Sequence, residues 1–231
     1  MAVVSDEAKE SRFKALSAQP HEIRGFFDSV GPWFYSLFFT SVGYRASLRF
    51  FVRANHGRLG LSEGMSILDA GIGAGFLTIS LLEEAPIPLK ITGLDFSPGM
   101  LVGLRRGLRR LGLEERVRLQ VGDMRSMPFA DESFDLVVSS AAMEYLPEVG
   151  DGISECGRVL RPGGRLLLIA TRDSFMGKLV AATWRNKTLE TAHVRSCMAR
   201  AGMKNVESLR FTRLFALFNW WGMALLGEKA G

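Results

Sequence analysis

The sequence predicts an α/β fold: a doubly wound, mostly parallel sheet with helices on both faces. Three observations carry this reading. Short apolar runs alternate with helical patterns between residues 65 and 170, the order that strand–helix–strand units require. The first three runs end in an acid, or in glycine then acid, at Asp69, Asp95 and Gly122-Asp123, and sheets of this type open their ligand crevice at the carboxyl ends of the strands. The 231 residues, 47% of them hydrophobic, suit one such domain with a small appended cap.

The cap comes first. Residues 5–18 read as a polar helix, broken at Pro20. Residues 26–52 are dense in aromatic side chains, among them Trp33, Phe34, Tyr35, Phe38 and Phe39, while Arg45, Arg49 and Arg53 recur every four residues on one helical face. The segment reads as an amphipathic helix or helix pair, a lid whose aromatic side packs on the main domain and whose arginines face water. A basic amphipathic helix can equally line a pocket or lie on a membrane surface. The chain thus divides into an N-terminal helical cap or lid, residues 1–57, and a ligand-binding domain, residues 58–231.

Residues 65–75, Met-Ser-Ile-Leu-Asp-Ala-Gly-Ile-Gly-Ala-Gly, are the centre of that domain. Ile67 and Leu68 form a short buried strand that ends in Asp69 and turns through Gly71, Gly73 and Gly75 into an apolar helix from Phe76. Glycines let the backbone turn sharply and approach a ligand, and the first helical N–H groups lack intrahelical partners. The spacing G-x-G-x-G departs from the G-x-G-x-x-G of dinucleotide sites, where a helix N-terminus holds a pyrophosphate. A carboxylate beside the turn would repel an anion, so the ligand should bring a cationic end.

The helix over 76–84 stops ahead of Pro86 and Pro88. Residues 89–94 form the second strand and deliver Asp95, an acid that can accept both hydroxyls of a ribose. Ser97 and Pro98 cap and start the next helix, with Leu101, Leu104, Leu108 and Leu111 on its buried face and Arg105, Arg106, Arg109 and Arg110 on a solvated one. Residues 116–121 form the third strand, ahead of Gly122-Asp123-Met124, and 134–139 the fourth, apolar enough for the sheet centre. Val149, Ile153, Cys156 and Leu160 mark the buried stripe of a helix, and 165–170 the fifth strand. Residues 171–187 read as a loop or short helix over the crevice, 188–201 as a helix stopped by Gly202, and 204–211 and 218–228 as two further strands.

The run Ile67-Leu68-Asp69-Ala70-Gly71-Ile72-Gly73-Ala74-Gly75 resembles motif I of the class I S-adenosylmethionine-dependent methyltransferases. Asp95, Gly122-Asp123-Met124 and Leu160-Arg161-Pro162-Gly163-Gly164 follow as three more landmarks in order, so the resemblance covers about residues 60–211. It implies a Rossmann-like seven-stranded sheet, mostly parallel with an antiparallel C-terminal edge strand. It also implies S-adenosyl-L-methionine as cofactor and S-adenosyl-L-homocysteine as product. Carried over by motif, Asp69, Gly71, Gly73 and Gly75 form the cofactor turn and Asp95 takes the ribose hydroxyls. Phe96 and Met100 sandwich the adenine, Asp123 accepts from its amino group, the Met124 N–H donates to the ring, and the backbone near Ser139 receives the methionine amino group.

The resembled branch, with an aromatic segment ahead of motif I, methylates quinone precursors, lipids, phenolic compounds and other small metabolites. Tyr35, Glu144, Tyr145 and Trp184 are then the acceptor-side candidates. Many relatives place a His just after the fourth strand. Here Glu144-Tyr145 stands instead, which makes Glu144 the candidate for orienting or deprotonating an acceptor. A sulfonium is already an activated methyl donor, so alignment in a dry crevice can supply most of the acceleration without a catalytic triad.

Other classes are disfavoured by what the chain lacks. Net charge is +5, from 29 basic and 24 acidic side chains, scattered rather than gathered into a recognition module, so no nucleic-acid partner is expected. No Tyr-x-x-x-Lys supports a short-chain dehydrogenase, and no Asn/Asp-Pro-Pro-Tyr/Phe/Trp signature of amino-group DNA methylation follows the fourth strand. Cys156 and Cys197 lie far apart without a CxxC spacing, which suggests reduced thiols in the cytoplasm and no metal site. Residues 1–10 contain no apolar run behind a basic region, so no secretory signal is expected. The longest uncharged runs, 29–44 and 214–227, are short of a membrane span, which leaves peripheral contact with a membrane open. The alternative reading is a non-catalytic S-adenosylmethionine-binding protein, or another transferase with the same cofactor site. Oligomeric state has no signal in the sequence.

Overall fold

The computed structural model describes residues 43–85, 87–184, 186–211 and 215–231; the predicted helix over 5–18, the aromatic run through Phe39 and Tyr35 lie outside them. Seven strands form one sheet: β1 Ser66–Ala70, β2 Lys90–Asp95, β3 Val117–Val121, β4 Phe134–Ser140, β5 Leu160–Thr171, β6 Met203–Leu209 and β7 Gly222–Lys229. Their order is β3-β2-β1-β4-β5-β7-β6. β1 to β5 pair in parallel, and β7 runs antiparallel between β5 and β6. The direction of winding reverses between β1 and β4, which opens a crevice at their carboxyl ends. This is the mostly parallel seven-stranded sheet that the sequence predicts.

Among the described residues seven helices accompany it: α1 Tyr44–Leu59, α2 Phe76–Glu84, α3 Pro98–Arg110, α4 Val149–Val159, α5 Phe175–Trp184, α6 Thr191–Arg200 and α7 Phe218–Trp221. Ile67 and Leu68, adjacent in β1, point to opposite faces of the sheet as the period of two requires. Ile67 joins a buried cluster with Leu48 and Phe51 of α1, Leu77 and Leu81 of α2 and Leu104 of α3. Leu68 joins a second, with Ile153 and Cys156 of α4 and Val194 and Met198 of α6. Both sides of the central strand are thus sealed by helix, which leaves its carboxyl end as the place where ligand can approach.

Local differences from the predicted elements have local causes. α3 is capped as expected, Ser97 Oγ accepting from the Met100 N–H at 3.2 Å, but it ends at Arg110, so Leu111 falls beyond it and is 45% exposed. Residues 175–184 take the helical alternative, and residues 218–221 form a short helix ahead of β7 where a strand was expected. β5 begins at Leu160 rather than Arg165. Its register against β4 jumps from Phe134↔Leu160 to Leu136↔Arg165, so the Pro-Gly-Gly segment bulges out of a strand that continues on both sides.

Three of the four arginines of α1, Arg45, Arg49 and Arg53, do not simply face water. Arg45 pairs with Glu83 at 2.6 Å, and Arg49 and Arg53 both reach Glu84 at 2.6 Å, which ties α1 to the last turn of α2. α1 runs to Leu59, across the expected boundary at 57/58, and its apolar side belongs to the main core. Among the described residues no helix is long and apolar enough to cross a membrane.

α4 and α6 meet closely at Gly157. A Cβ there would lie 2.6 Å from the Ala201 carbonyl oxygen, a backbone atom with little room to move. Gly157→Ala is therefore expected to destabilise the fold by about 1–3 kcal/mol, through separation of the two helices. Urea denaturation of the variant is the check, and wild-type stability would refute the close-packing account.

Candidate functional site

The β1–α2 turn is built by glycine and held from β2. Gly71, Gly73 and Gly75 have φ of 78, 51 and 73°, values that side chains with a Cβ rarely adopt. Gly71 also has no room: a Cβ would lie 2.4 Å from Ala142 Cβ and 2.8 Å from Met124 Cε. The N–H groups of Gly71 and Ile72 both donate to the Leu94 carbonyl, at 2.8 and 3.0 Å. Ile72 folds over Gly93, whose lack of a side chain makes that space.

Two carboxylates flank this turn, both buried. Asp95 at the end of β2 accepts from the Gly73 N–H through Oδ2 and from the Ser97 N–H through Oδ1, each at 2.9 Å. Burial pushes it up to about 6, against the pull of the N–H groups of Ser97, Gly73 and Phe96. Asp69 in β1 accepts from the Thr78 hydroxyl at 2.7 Å. Burial pushes it up to about 7, against the Thr78 hydroxyl and backbone, and the charge of Asp95 raises it further. Two mutually repelling carboxylates beside a turn rich in backbone donors form a place for a ligand with hydroxyls and a positive charge.

They line a cavity of about 270 Å³ at the carboxyl ends of β1, β2 and β4. Gly71, Gly73, Phe96, Met100, Asp123, Met124 and Tyr145 line it too, so the structure brings most of the sequence-predicted site residues together. Asp123 arrives already engaged: Arg125 meets its Oδ2 at 2.6 Å, and the Arg125 backbone N–H donates to Oδ1 at 2.8 Å. Gly75 lies just outside the lining, starting α2 against Leu104, whose Cδ1 would be 2.5 Å from an added Cβ.

Ser139 and Glu144 are placed differently from the rest. Ser139 is fully buried and donates to the Ala70 carbonyl at 2.8 Å; alternation along β4 turns Ser140 to the cavity instead. Glu144, on a short 3₁₀ turn at 143–145, is fully buried and lines a second, narrow cavity beside the first. Its Oε1 accepts from the Thr171 N–H at 2.7 Å. Burial raises its pKa, against the pull of its own N–H and of the Thr171 amide and hydroxyl. Trp184 ends α5; neither its side chain nor any part of Tyr35 is among the features described.

Residues 67–164 match the family of methyltransferase domains. Over 151 residues the chain is 30% identical to a demethylmenaquinone methyltransferase of Lactiplantibacillus plantarum, a match that covers 65% of this chain and 63% of that protein. Over 159 residues it is 33% identical to the biotin biosynthesis bifunctional protein BioHC of Teredinibacter turnerae, covering 64% of this chain and 28% of that one. The chain spans less than two thirds of the length of either relative. A solved geranyl diphosphate C-methyltransferase of Streptomyces coelicolor, in complex with Mg²⁺, geranyl diphosphate and S-adenosyl-L-homocysteine, shares the fold. The TM-score is 0.60 at 17% identity over 76% of each chain. Residues 67–164 thus match a methyltransferase domain, and the likeness to the solved structure is one of fold.

Some residues of this site had no signal in the sequence. Tyr44, the first residue of α1, lines both cavities, and its hydroxyl is 2.7 Å from Ser140 Oγ, a contact between residues 96 apart in the chain. Burial raises the Tyr44 phenol far above its ordinary value, opposed by Ser140 and reinforced by Glu144 and Asp69. Arg125 and Lys187 line the main cavity as well. Arg125 follows the Gly-Asp-Met landmark closely enough for a turn-capping role to be anticipated, whereas Lys187 reaches the mouth only through the packing of residues 186–189.

Raised carboxylates make the free protein's stability depend on pH. For Asp69 the folded-state value of about 7 exceeds the ordinary 3.8, so its contribution is full below about pH 4 and is lost as pH rises through 7. Unfolding in urea between pH 5 and 8 should show stability falling with pH. Asp69→Asn keeps an acceptor for Thr78 and should flatten that fall; equal slopes in the two proteins would contradict the assignment.

Proposed function

We propose that the protein transfers a methyl group from S-adenosyl-L-methionine to a small apolar acceptor by direct in-line transfer. The observation that carries this reading is the pair Asp69 and Asp95, buried at the ends of adjacent strands around a glycine turn. Asp95 Oδ2 accepts from the Gly73 N–H and Oδ1 from the Ser97 N–H, and the carboxyl keeps lone-pair capacity for a ribose hydroxyl. Asp69 favours the cationic methionine end, with its ammonium and sulfonium charges. Phe96 and Met100 supply apolar contact for the adenine, Asp123 and Met124 its polar edge, and the Gly71–Gly73 backbone the close approach that a side chain would block.

In this site the nucleophilic atom of the acceptor attacks the methyl carbon. The carbon–sulfur bond breaks with its electron pair left on sulfur, and the sulfonium becomes the neutral thioether of S-adenosyl-L-homocysteine. A proton lost by the acceptor leaves to a nearby base or to water. The chemistry asks mainly for alignment and exclusion of water. Tyr145 lines the main cavity; with Glu144, and with Tyr35 and Trp184 from the sequence reading, it belongs to the acceptor side.

An apolar acceptor such as a quinone precursor, a lipid or a phenolic metabolite is supported by the aromatic walls around Tyr44 and by the relative named for demethylmenaquinone. Phe175 and Leu179 on α5, with Leu217 and Trp220 beside α7, are exposed large apolar side chains. They support work in the cytoplasm in peripheral contact with a membrane surface, where such acceptors concentrate.

Calorimetric titration with S-adenosylmethionine and then S-adenosylhomocysteine tests the reading. Both should bind saturably, and Asp95→Ala should weaken both by roughly hundredfold, the loss of two charge-assisted hydrogen bonds. Folded protein that takes up neither compound would end the proposal.

A further inference from the structure

An ion pair is built into the wall of the main cavity. Asp123 and Arg125 both line it, with side chains 11% and 8% exposed. The pairing is a fork rather than a point contact. Arg125 Nη2 donates to Asp123 Oδ2 at 2.6 Å, Nε lies 3.0 Å from Oδ2 and 3.1 Å from Oδ1, and the Arg125 backbone N–H donates to Oδ1 at 2.8 Å. A residue two positions on thus holds both oxygens at once, with side chain and main chain together. Buried ion pairs contribute little net stability, because desolvation offsets their attraction. The place of this one in a ligand cavity therefore calls for another account.

An ionised carboxylate has about four lone-pair sites and no donor. With the fork on one side, the Asp123 carboxylate is fixed in orientation and has only its remaining lone pairs to offer a ligand. The next residue adds the complementary group. Among the described residues the Met124 N–H has no hydrogen-bond partner, and Met124 lines the same cavity. An acceptor with a donor beside it matches the edge of an aminated nitrogen heterocycle, where an exocyclic N–H stands next to an accepting ring nitrogen. Phe96 and Met100, in the same lining, suit the faces of a flat ring. The oxo counterpart of such a heterocycle reverses both groups: its oxygen would meet the carboxylate, and its ring N–H would meet the Met124 N–H.

We propose that Arg125 is a positioning residue that makes the cofactor site select a 6-amino over a 6-oxo purine, by locking Asp123 as a pure acceptor in one orientation. The proposal rests on the methyltransferase reading and deepens it, since that reading gives Asp123 and Met124 the adenine edge and gives Arg125 no part. Arg125 acts through Asp123 and not on the transferred methyl group. Without the fork the carboxyl is free to rotate, or to take a proton and donate, and either change lets an oxo group be met. A lysine would keep the charge but not the planar fork.

The test is calorimetric titration of the whole chain with S-adenosylhomocysteine and with S-inosylhomocysteine, in which the purine 6-amino group is replaced by oxo. The wild type should prefer the adenosyl compound by at least about hundredfold, because the oxo edge leaves two polar groups of the site unpaired. In Arg125→Met, a side chain of similar reach without donors, the ratio should fall at least about tenfold, and in Arg125→Lys it should fall as well. A residue that only supported the fold would weaken both compounds alike and leave the ratio where it was. No preference for the adenosyl compound in the wild type, or an unchanged ratio in a folded variant, would overturn the proposal. So would failure of both variants to fold, since Arg125 would then be holding the fold itself. A folded wild type that binds neither compound is a separate result and would overturn the methyltransferase reading underneath.

Discussion

The hydrogen bond from the Gly73 N–H to Asp95 Oδ2 joins fold to function in this protein. A turn through three left-handed glycines has little intrinsic preference for one shape, because glycine surrenders more conformational freedom on ordering than any other residue. Asp95, fixed by the parallel pairing of β2 with β1 and β3, supplies the anchor. The same carboxyl must also remain competent to meet a ligand. The backbone N–H groups of Gly73, Ser97 and Phe96 achieve both: enough to shape the turn and to moderate the cost of burial, and not enough to saturate the four lone-pair sites of the group.

Asp69 extends that arrangement to the next strand. Its Oδ2 takes the Thr78 hydroxyl, and the same carboxyl draws on the Thr78 backbone N–H, so part of the demand of an uncapped helix start is met from β1, since Gly75 carries no side chain to do so. Burial of two carboxylates that repel each other opposes folding of the empty protein. A ligand that brings positive charge and hydroxyl donors relieves that cost only when it is in place. The site is thereby selective by what it leaves unsatisfied, and stability given up in the free state returns as affinity in the bound one.

Most of this was legible in the sequence because it is local. Three glycines at spacing two after an acid, an acid at the end of the next apolar run, and Ser-Pro at a helix start each state a backbone requirement within a few residues, and the structure places them together. Legibility fails where tertiary packing decides. Nothing within ten residues of Tyr44 says that its ring will meet Ser140 across 96 residues of chain. Whether Ser139 or Ser140 faces the crevice is a question of strand parity, and a one-residue uncertainty in where β4 begins to be straight reverses the answer. Phe218 to Trp221 read as strand because aromatic residues favour one, yet they form a short helix and β7 starts only at Gly222.

Glu144 shows where the two kinds of information meet. As a residue type after the fourth strand it attracts attention from sequence alone, but a solvent-facing glutamate ahead of Pro147 would have looked the same. What separates the readings is that the side chain turns inward, engages Thr171 through one oxygen and leaves the other unpaired. A leucine would pack such a space with less penalty if packing were all that mattered. The aromatic wall from Phe211 to Trp221 comes from the last fifth of the chain and Tyr44 from α1, so the cavity exists only when the β5–β7 pairing and the α1–α2 contact are both formed. The glycine turn and the space beside Glu144 are therefore assembled by different parts of the fold, the first by local glycine geometry and the second by long-range packing.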